Sequence, residues 1–440
     1  MDKKLHKVHD IDKLFYYFST ENETNNIIFR LVLHSKVDKF ILKKALNQTI
    51  RRFPNFRQTP VVDREGYLYT VDNDREADVY AYDSAEAELG TEAMNGFLFR
   101  VMYEGNTIWI SLFHSLCDGC GLKMFVRSLL YHYFTLCGFK IPNQGRQFLT
   151  EDIPADSTEL ADPFELCPDG PIVANPYRPD GIENILILPE PNKGVDDCRY
   201  PGLFRFVLDT DRLLSLARDA EASVDTYLHL LAARVIYDGY ETGDKLISGI
   251  GTIDTRPFYR SRGLQNNVAL FWLYYGDEFF SLSDKDACRI IEQRFKAEQI
   301  RKDIMDGSIL ERKTQYKELF GFPITLAQGL RTMRESILTS PEVTSTYFLT
   351  NIMRLGLGDE IDALVAGADV YGTPIFNSPV LFVVTQGKKT FINLAQRNLS
   401  RYLAQRFRDA FKERGLLISA EMGDSFETDK LRIRNIPVLS

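Results

Sequence analysis

The stretch that decides the fold of this chain is Thr107-Ile-Trp-Ile-Ser-Leu-Phe-His-Ser-Leu-Cys-Asp-Gly119. Its first seven residues are mostly β-branched, aliphatic or aromatic and follow a Glu104-Gly105-Asn106 turn, a pattern that predicts a β-strand. Beyond Gly119, apolar residues recur at helical spacing across positions 122–133. The stretch therefore predicts a strand that turns tightly into a helix, with His114 at the turn.

His114 has two interpretations at this stage. Strand alternation puts its side chain on the face of Ile108, Ile110 and Leu112, which predicts a dry interior where a histidine can act as a general base. In the other interpretation, a strand-end histidine bonds to the backbone while Asp118 caps the helix. The two are compatible, because the aspartate need not take part in the chemistry.

Length and composition limit the function classes. With 440 residues, 44% hydrophobic and 26% charged, the chain is long enough for two globular domains. A net charge of −8 argues against a general nucleic-acid binder. No apolar stretch is long enough to span a bilayer, and residues 1–9 lack the apolar core of a signal peptide. We therefore expect a cytoplasmic protein with no membrane span.

The six cysteines are scattered, as expected for reduced thiols. One spacing, Cys117-x2-Cys120-x11-His132-x4-Cys137, mimics a zinc knuckle. The residues between these positions have the pattern of a continuous amphipathic helix, which a zinc loop would have to unwind. We therefore expect no metal site.

Two segments of the chain are similar in sequence. Phe29-Arg-Leu-Val-Leu33 and Phe204-Arg-Phe-Val-Leu208 each precede a predicted helix, so each is expected to open one lobe, although short β-motifs also recur by coincidence. Residues 151–200 between them are rich in Pro, Asp, Asn and Gly and lack periodicity. The predicted division is an N-terminal lobe at 1–165, a crossover linker at 166–200 and a C-terminal lobe at 201–440.

The motif His114-x-x-x-Asp118-Gly119 resembles the HxxxDG signature of the chloramphenicol-acetyltransferase-like superfamily. That group includes BAHD and alcohol acyltransferases, polyketide-associated acyltransferases and the condensation domains of peptide synthetases. The resemblance implies an α/β sandwich of two lobes with the active-site channel between them, and a catalytic set of His114, Asp118 and Gly119. Condensation domains usually carry a second histidine before the catalytic one, whereas this chain has Phe113, which leans towards freestanding acyl transfer.

Further segments support the resemblance. Thr252-Ile-Asp-Thr-Arg256 is similar to a D-x-R-type segment whose arginine pairs with the motif aspartate, which implies an Arg256–Asp118 pair; the alternative is a surface arginine beside a turn. Thr350-Asn351 partly matches an S-N-x-G segment that could donate to an oxyanion, or it could simply cap a loop. Gly263-Leu-Gln-Asn-Asn267 is similar to a G-N segment beside the channel, and its turn chemistry alone explains it.

The resemblance implies an acyltransferase that uses a coenzyme A thioester as co-substrate and an alcohol or amine as acceptor, with His114 as the general base and no permanently bound cofactor. Two alternatives remain open. The chain could be a condensation-type domain that takes acyl groups from an acyl carrier protein. It could also be a non-catalytic binding protein on the same fold.

Overall fold

The computed structural model describes the chain in the following residue ranges: 4–19, 24–83, 87–143, 147–171, 184–188, 201–296, 302–303, 305–307, 309–311, 313–314, 324–337, 345–374, 378–426, 428–431 and 433–439.

The strands in this part of the chain are β1 Leu5–Lys7, β2 Asn26–Leu33, β3 Gln58–Val62, β4 Leu68–Asp72, β5 Val79–Ala81, β6 Glu88–Leu89, β7 Phe99–Glu104, β8 Thr107–Phe113, β9 Gly202–Asp209, β10 Ile247–Asp254, β11 Val268–Tyr275, β12 Tyr347–Arg354, β13 Val365–Gly372, β14 Val380–Gln386, β15 Lys389–Gln396, β16 Leu417–Ser425 and β17 Lys430–Leu431.

The longer helices are α1 Asp10–Phe18, α2 Lys39–Arg52, α3 Gly119–Leu136, α4 Thr210–Asp219, α5 Val224–Tyr237, α6 Asp284–Lys296, α7 Leu326–Ile337 and α8 Tyr402–Glu413. Short helical turns occur at Pro54–Arg57, Glu92–Met94, Pro163–Leu166, Arg256–Tyr259, Asp277–Phe280, Asp359–Asp362 and Ile433–Asn435.

The N-terminal lobe is built on a five-stranded sheet in the order β13-β2-β8-β7-β5. Helices α2 and α3 share a core with this sheet, because their apolar faces and the inward residues of β2, β7 and β8 belong to one buried cluster. β8 lies in the middle of the sheet and ends at Phe113, as the sequence predicts. The motif histidine therefore follows a strand that is paired on both sides.

The C-terminal lobe is built on a seven-stranded mixed sheet in the order β11-β10-β12-β14-β15-β9-β16. Its two faces are buried in different cores. On β12, Phe348 and Ile352 belong to the core of the N-terminal lobe, whereas Tyr347 and Leu349 pack with helices of the C-terminal lobe. Because both faces of this sheet are covered, β12 and β14 carry apolar residues on both faces. The mixed α/β architecture of two packed lobes confirms the predicted fold class.

One strand from the C-terminal half of the chain joins the N-terminal sheet. Val365–Gly372, which the division into 1–165 and 201–440 assigned to the C-terminal lobe, pairs antiparallel with β2 and forms the edge of the N-terminal sheet. The partner of a strand is set by tertiary packing and not by its local pattern, so the sequence did not indicate this pairing. Much of the predicted crossover, residues 172–183 and 189–200, lies outside the described residues.

The alternative zinc site is contradicted by α3. This helix is continuous from Gly119 to Leu136 and has Cys137 as its C-cap. A rise of 1.5 Å per residue places Cys120 and Cys137 about 25 Å apart, too far to bind one ion. The helical periodicity predicted this continuous helix.

Candidate active site

The motif loop, His114–Asp118, connects β8 to α3. The His114 N–H donates to the carbonyl of Asn25 at 2.8 Å, and the Leu116 N–H closes a turn onto Phe113 at 3.0 Å. Asp118 is the N-cap of α3, and its carboxylate accepts the Gly121 N–H at 2.8 Å. The capping role considered from sequence is therefore present, and it accounts for one of the hydrogen bonds of this carboxylate.

Asp118 also pairs with Arg256. The guanidinium donates to both carboxylate oxygens, Nη1 to Oδ2 and Nη2 to Oδ1, each at 2.9 Å. The two residues are each 5% exposed, so this is a buried, bidentate pair and not a surface contact. Arg256 is held in turn by the carbonyls of Gly263 at 2.6 Å and Gln265 at 2.8 Å. The structure thus brings the two residues together across the lobes.

The carboxylate of Asp118 is fully used by this arrangement. Besides Gly121 and Arg256, it accepts the Asn267 N–H at 2.8 Å. Burial alone would raise the pKa of Asp118, but the charge and hydrogen bonds of Arg256, with the two N–H groups, hold it below its usual value. An ionised carboxylate has about four acceptor sites, all occupied here, so Asp118 has none left to accept a hydrogen bond from His114.

We call residues Arg256–Asn267 the anchoring segment, because its backbone contacts the motif loop and the start of α3 directly. A Cβ on Gly121 would lie 2.3 Å from the carbonyl oxygen of Leu264, so only glycine allows α3 to approach this closely. A Cβ on Gly119 would instead lie 3.1 Å from Cγ1 of Ile352. The motif glycine therefore faces a side chain, and Gly121, which the sequence did not single out, faces backbone.

The His114 ring is positioned by residues that the sequence missed. Phe15 on α1 stacks on it, with ring centroids 4.2 Å apart and planes 9° from parallel. The carbonyl of His114 accepts from Nδ2 of Asn266 at 2.8 Å, and the same Nδ2 is 2.8 Å from Oδ1 of Asp12. Nothing in the local pattern of α1 marks Asp12 or Phe15. Asn266 stood in a segment that was noted, but no chemistry was assigned to it.

The electrostatic surroundings keep His114 neutral near pH 7. Burial lowers the pKa of His114, while interaction with its own backbone, the charge of Asp118 and hydrogen bonding by Asn266 act in the opposite direction. Nδ1 is buried and makes no regular hydrogen bond to another described residue. The ring therefore carries an unprotonated nitrogen at pH 7 that can act as a base.

The β12 end, Thr350–Arg354, meets the motif from the other side. Its Ile352 side chain faces Gly119, and its Ile352 carbonyl accepts from Nζ of Lys123 at 3.1 Å. Asn351 is turned away: Nδ2 donates to Asp225 at 3.3 Å and Oδ1 accepts the Met353 N–H at 2.8 Å. Strand alternation puts Thr350 on the face of Ile352, so of the two predicted residues only Thr350 lies on the side of the motif.

A cavity of about 300 Å³ lies against the motif loop. Its lining is mixed polar and apolar and comes from the N-terminal strand and helix, from Ser115 and Leu116 of the loop, and from Leu160 and Gln265. The space can hold a small molecule or several waters. The cavity therefore lies beside the residues that follow His114.

In the described part of the chain, no group of three metal-binding side chains is close enough together to hold an ion. Within the same residues, no helix combines the length and apolar character that crossing a membrane requires.

Comparisons with known proteins identify the fold. No family model matches the sequence, and no curated protein sequence matches it. Solved structures are similar, among them the three that follow. Polyketide synthase associated protein 5 from Mycobacterium tuberculosis has a TM-score of 0.58 at 13% identity, over 92% of this chain and 98% of that chain.

The second is TRI101 of F. sporotrichioides, complexed with coenzyme A and T-2, with a TM-score of 0.58 at 10% identity, covering 94% of this chain and 99% of that chain. The third is the condensation domain from Monacolin K polyketide synthase MokA, with a TM-score of 0.56 at 12% identity, covering 93% and 96%. The chain therefore has the two-lobed fold of chloramphenicol-acetyltransferase-like acyltransferases and condensation domains, over nearly its whole length.

Proposed function

We propose that the protein is an acyltransferase that moves an acyl group, acetyl in the first instance, from a coenzyme A thioester to an alcohol or amine. The observation that carries this proposal is the half-buried His114, whose lowered pKa leaves it neutral at pH 7, next to the junction of the two lobes. The similar fold of TRI101, which was solved with coenzyme A, supports the choice of donor.

In the proposed reaction, Nε2 of His114 takes the proton from the acceptor hydroxyl or amine as its oxygen or nitrogen attacks the thioester carbonyl. The tetrahedral intermediate collapses by breaking the carbon–sulfur bond, and the departing thiolate receives the proton from His114. No acyl-enzyme forms in this reaction, so acceptor, base and thioester must meet in one place. Asp118 does not polarise the histidine, because its oxygens serve Arg256 and backbone N–H groups.

Thr350 is the proposed hydrogen-bond donor to the developing oxyanion. It lies on the same face of β12 as Ile352, which contacts the start of α3, whereas the amide of Asn351 is engaged by Asp225 and Met353. Loss of one such donor typically lowers kcat by about 10²-fold. Thr350→Val should show a loss of this size, and Thr350→Ser, which keeps the hydroxyl, should retain most of the rate.

The test is release of free thiol from acetyl-CoA and longer acyl-CoA thioesters across a panel of alcohols and amines. Acceptor-dependent release supports the proposal. No thiol release from any CoA donor, together with turnover of an acylated carrier protein, would assign the chain to condensation-type chemistry instead. No turnover of either donor and no acyl-CoA binding by calorimetry would identify a non-catalytic binding protein.

A further inference from the structure

The ring of Phe15 on α1 lies flat against the ring of His114. The two centroids are 4.2 Å apart and the planes are 9° from parallel, so the phenyl face covers one face of the imidazole. A phenyl face carries negative partial charge and attracts a cation within about 6 Å of its centroid. In the proposed reaction the imidazole starts neutral and becomes a cation when it takes the acceptor proton. The contact therefore strengthens as His114 is protonated.

The nearby carboxylates are engaged elsewhere. The oxygens of Asp118 accept from Arg256 and from backbone N–H groups. Those of Asp12 on α1 accept from two side-chain amides of the anchoring segment. Within the described part of the chain, Nδ1 of His114 makes no regular hydrogen bond. The Phe15 face is thus the electron-rich surface that remains in contact with a positively charged ring.

Asn25 ties together the backbones that carry the two rings. Its carbonyl accepts the His114 N–H at 2.8 Å, and its Nδ2 donates to the Phe15 carbonyl at 3.3 Å. The next residue on α1, Tyr16, accepts from Oγ of Ser115, the residue after the histidine, at 3.3 Å. The stacked arrangement is therefore held by polar contacts of the backbone and of the neighbouring residues, and does not depend on the rings alone.

We propose that Phe15 is a positioning residue for His114, whose ring face holds the plane of the imidazole and stabilises the imidazolium that forms when the base takes its proton. This inference rests on the proposed function of His114. Because the stabilised species is charged and the resting one is neutral, the interaction is stronger in the transition state than in the ground state, and it raises kcat.

The stack of Phe56 on Phe125 provides a matched control. These rings lie in the core of the same lobe, with centroids 4.0 Å apart and planes 2° from parallel, and neither can take a charge. If Phe15 serves packing alone, weakening either stack should affect stability and leave the pKa of His114 unchanged. If it stabilises charge, the pKa should respond at position 15 alone.

The substitutions at position 15 must separate shape from charge. Phe15→Leu removes the ring face, which lowers the pKa of His114, but the smaller side chain also admits water, which raises that pKa. Site-specific replacement of Phe15 by 4-fluoro-, 3,4,5-trifluoro- and pentafluorophenylalanine keeps the ring, while fluorine withdraws negative charge from its face. If the bulkier pentafluoro ring prevents folding, the two smaller members carry the test.

The pKa of His114 tests the inference without turnover. It is measured from the Cε1–H NMR signal, which His114→Gln identifies. The pKa should fall with each step of the position-15 series, by about half a unit or more for the pentafluoro ring, whereas the same replacements at Phe56 should shift it by less than about 0.2 units. No change along the position-15 series, or an equal shift from position 56, would overturn the proposal.

The other titratable and charged groups of the network around His114 stay in place throughout the series. They are His9, Asp12 and Tyr16 in or just before α1, Cys117 and Asp118 in the motif loop, and Asp254 and Arg256 in the C-terminal lobe. A shift of the pKa along the series therefore reports on the ring face.

The rate gives a second readout. The pentafluoro variant should lower kcat by about 3- to 10-fold, with KM changed by less than about twofold, because the lost interaction belongs to the charged form of the base. Phe15→Tyr, which keeps the ring face, should retain more of the rate than Phe15→Leu. An unchanged kcat in the fluorinated series would overturn the proposal.

The two readouts separate this inference from the proposed function. A pKa of His114 that falls along the series, in a protein that transfers no acyl group, would contradict only the function. An active enzyme whose His114 pKa and kcat do not respond to the series would contradict only the inference.

Discussion

The anchoring segment and the β12 end both belong to the C-terminal lobe, and both touch the start of α3, but they do so in different ways. The anchoring segment holds Asp118 and Gly121 through a bidentate ion pair, backbone N–H groups and a backbone carbonyl. The β12 end makes contact through the Ile352 side chain and the flexible Lys123. The anchoring segment therefore fixes the motif loop, whereas the side-chain contacts of the β12 end can adjust.

The largest effect should come from breaking the ion pair. Asp118→Ala removes the bidentate partner of the buried Arg256 and leaves it only Asp254, whose Oδ1 is 3.0 Å from Nη1. The free energy of unfolding should fall by about 3 kcal/mol in urea denaturation. The folded-state pKa of Asp118 lies below its unfolded value, so its contribution is complete above about pH 3.9 and is lost as the pH falls through the folded pKa. Equal melting temperatures for wild type and variant at pH 7 would refute the buried pair.

Two glycine variants sharpen the comparison directly. Gly121→Ala forces a Cβ against the Leu264 carbonyl and should cost about 3 kcal/mol, whereas Gly119→Ala meets a side chain that can move and should cost less than about 1 kcal/mol. Thermal unfolding of both variants measures the difference. If Gly119→Ala proves to be the more destabilising, the β12 end is the rigid side.

The pH dependence of activity reports on His114, whose carbonyl is held by Asn266 of the anchoring segment. Burial lowers the pKa of His114 below its ordinary value of about 6.5, and a general base is active when unprotonated. The acid limb of kcat/KM should therefore have its midpoint below about pH 6.5. A limb centred above pH 7 would mean that another group titrates, or that the ring is more exposed to charge than the structure indicates.

The smallest effect is expected at the β12 end. Asn351→Ala loses a 3.3 Å contact to Asp225 and the 2.8 Å hydrogen bond from the exposed Met353 N–H, and should change stability by about 1 kcal/mol or less. The control is Asn393→Ala in the same sheet: Asn393 is 1% exposed and donates to the Val370 carbonyl at 2.8 Å, so its loss should cost about 1–3 kcal/mol. Equal costs would show that the β12 end is as tightly held as the sheet centre.

The sequence predicted the parts of the site that have a local signature. The extent of β8 and the start of α3 follow from residue type and periodicity, and the place of Arg256 followed from a resemblance to a known family. Asp12 and Phe15 were not predicted, because they reach His114 from a helix about a hundred residues earlier in the chain. The pairing of β13 with the N-terminal sheet was not predicted for the same reason, because strand partners are set by tertiary packing.

The central claim is that His114 is the base of an acyl transfer, and its most direct test is thiol release from acyl-CoA by wild type and His114→Ala in parallel. The account predicts acceptor-dependent release by wild type and a loss of at least about 10²-fold in the variant, with matching melting curves. Acceptor-dependent release that persists in His114→Ala at a rate near that of the wild type would contradict it.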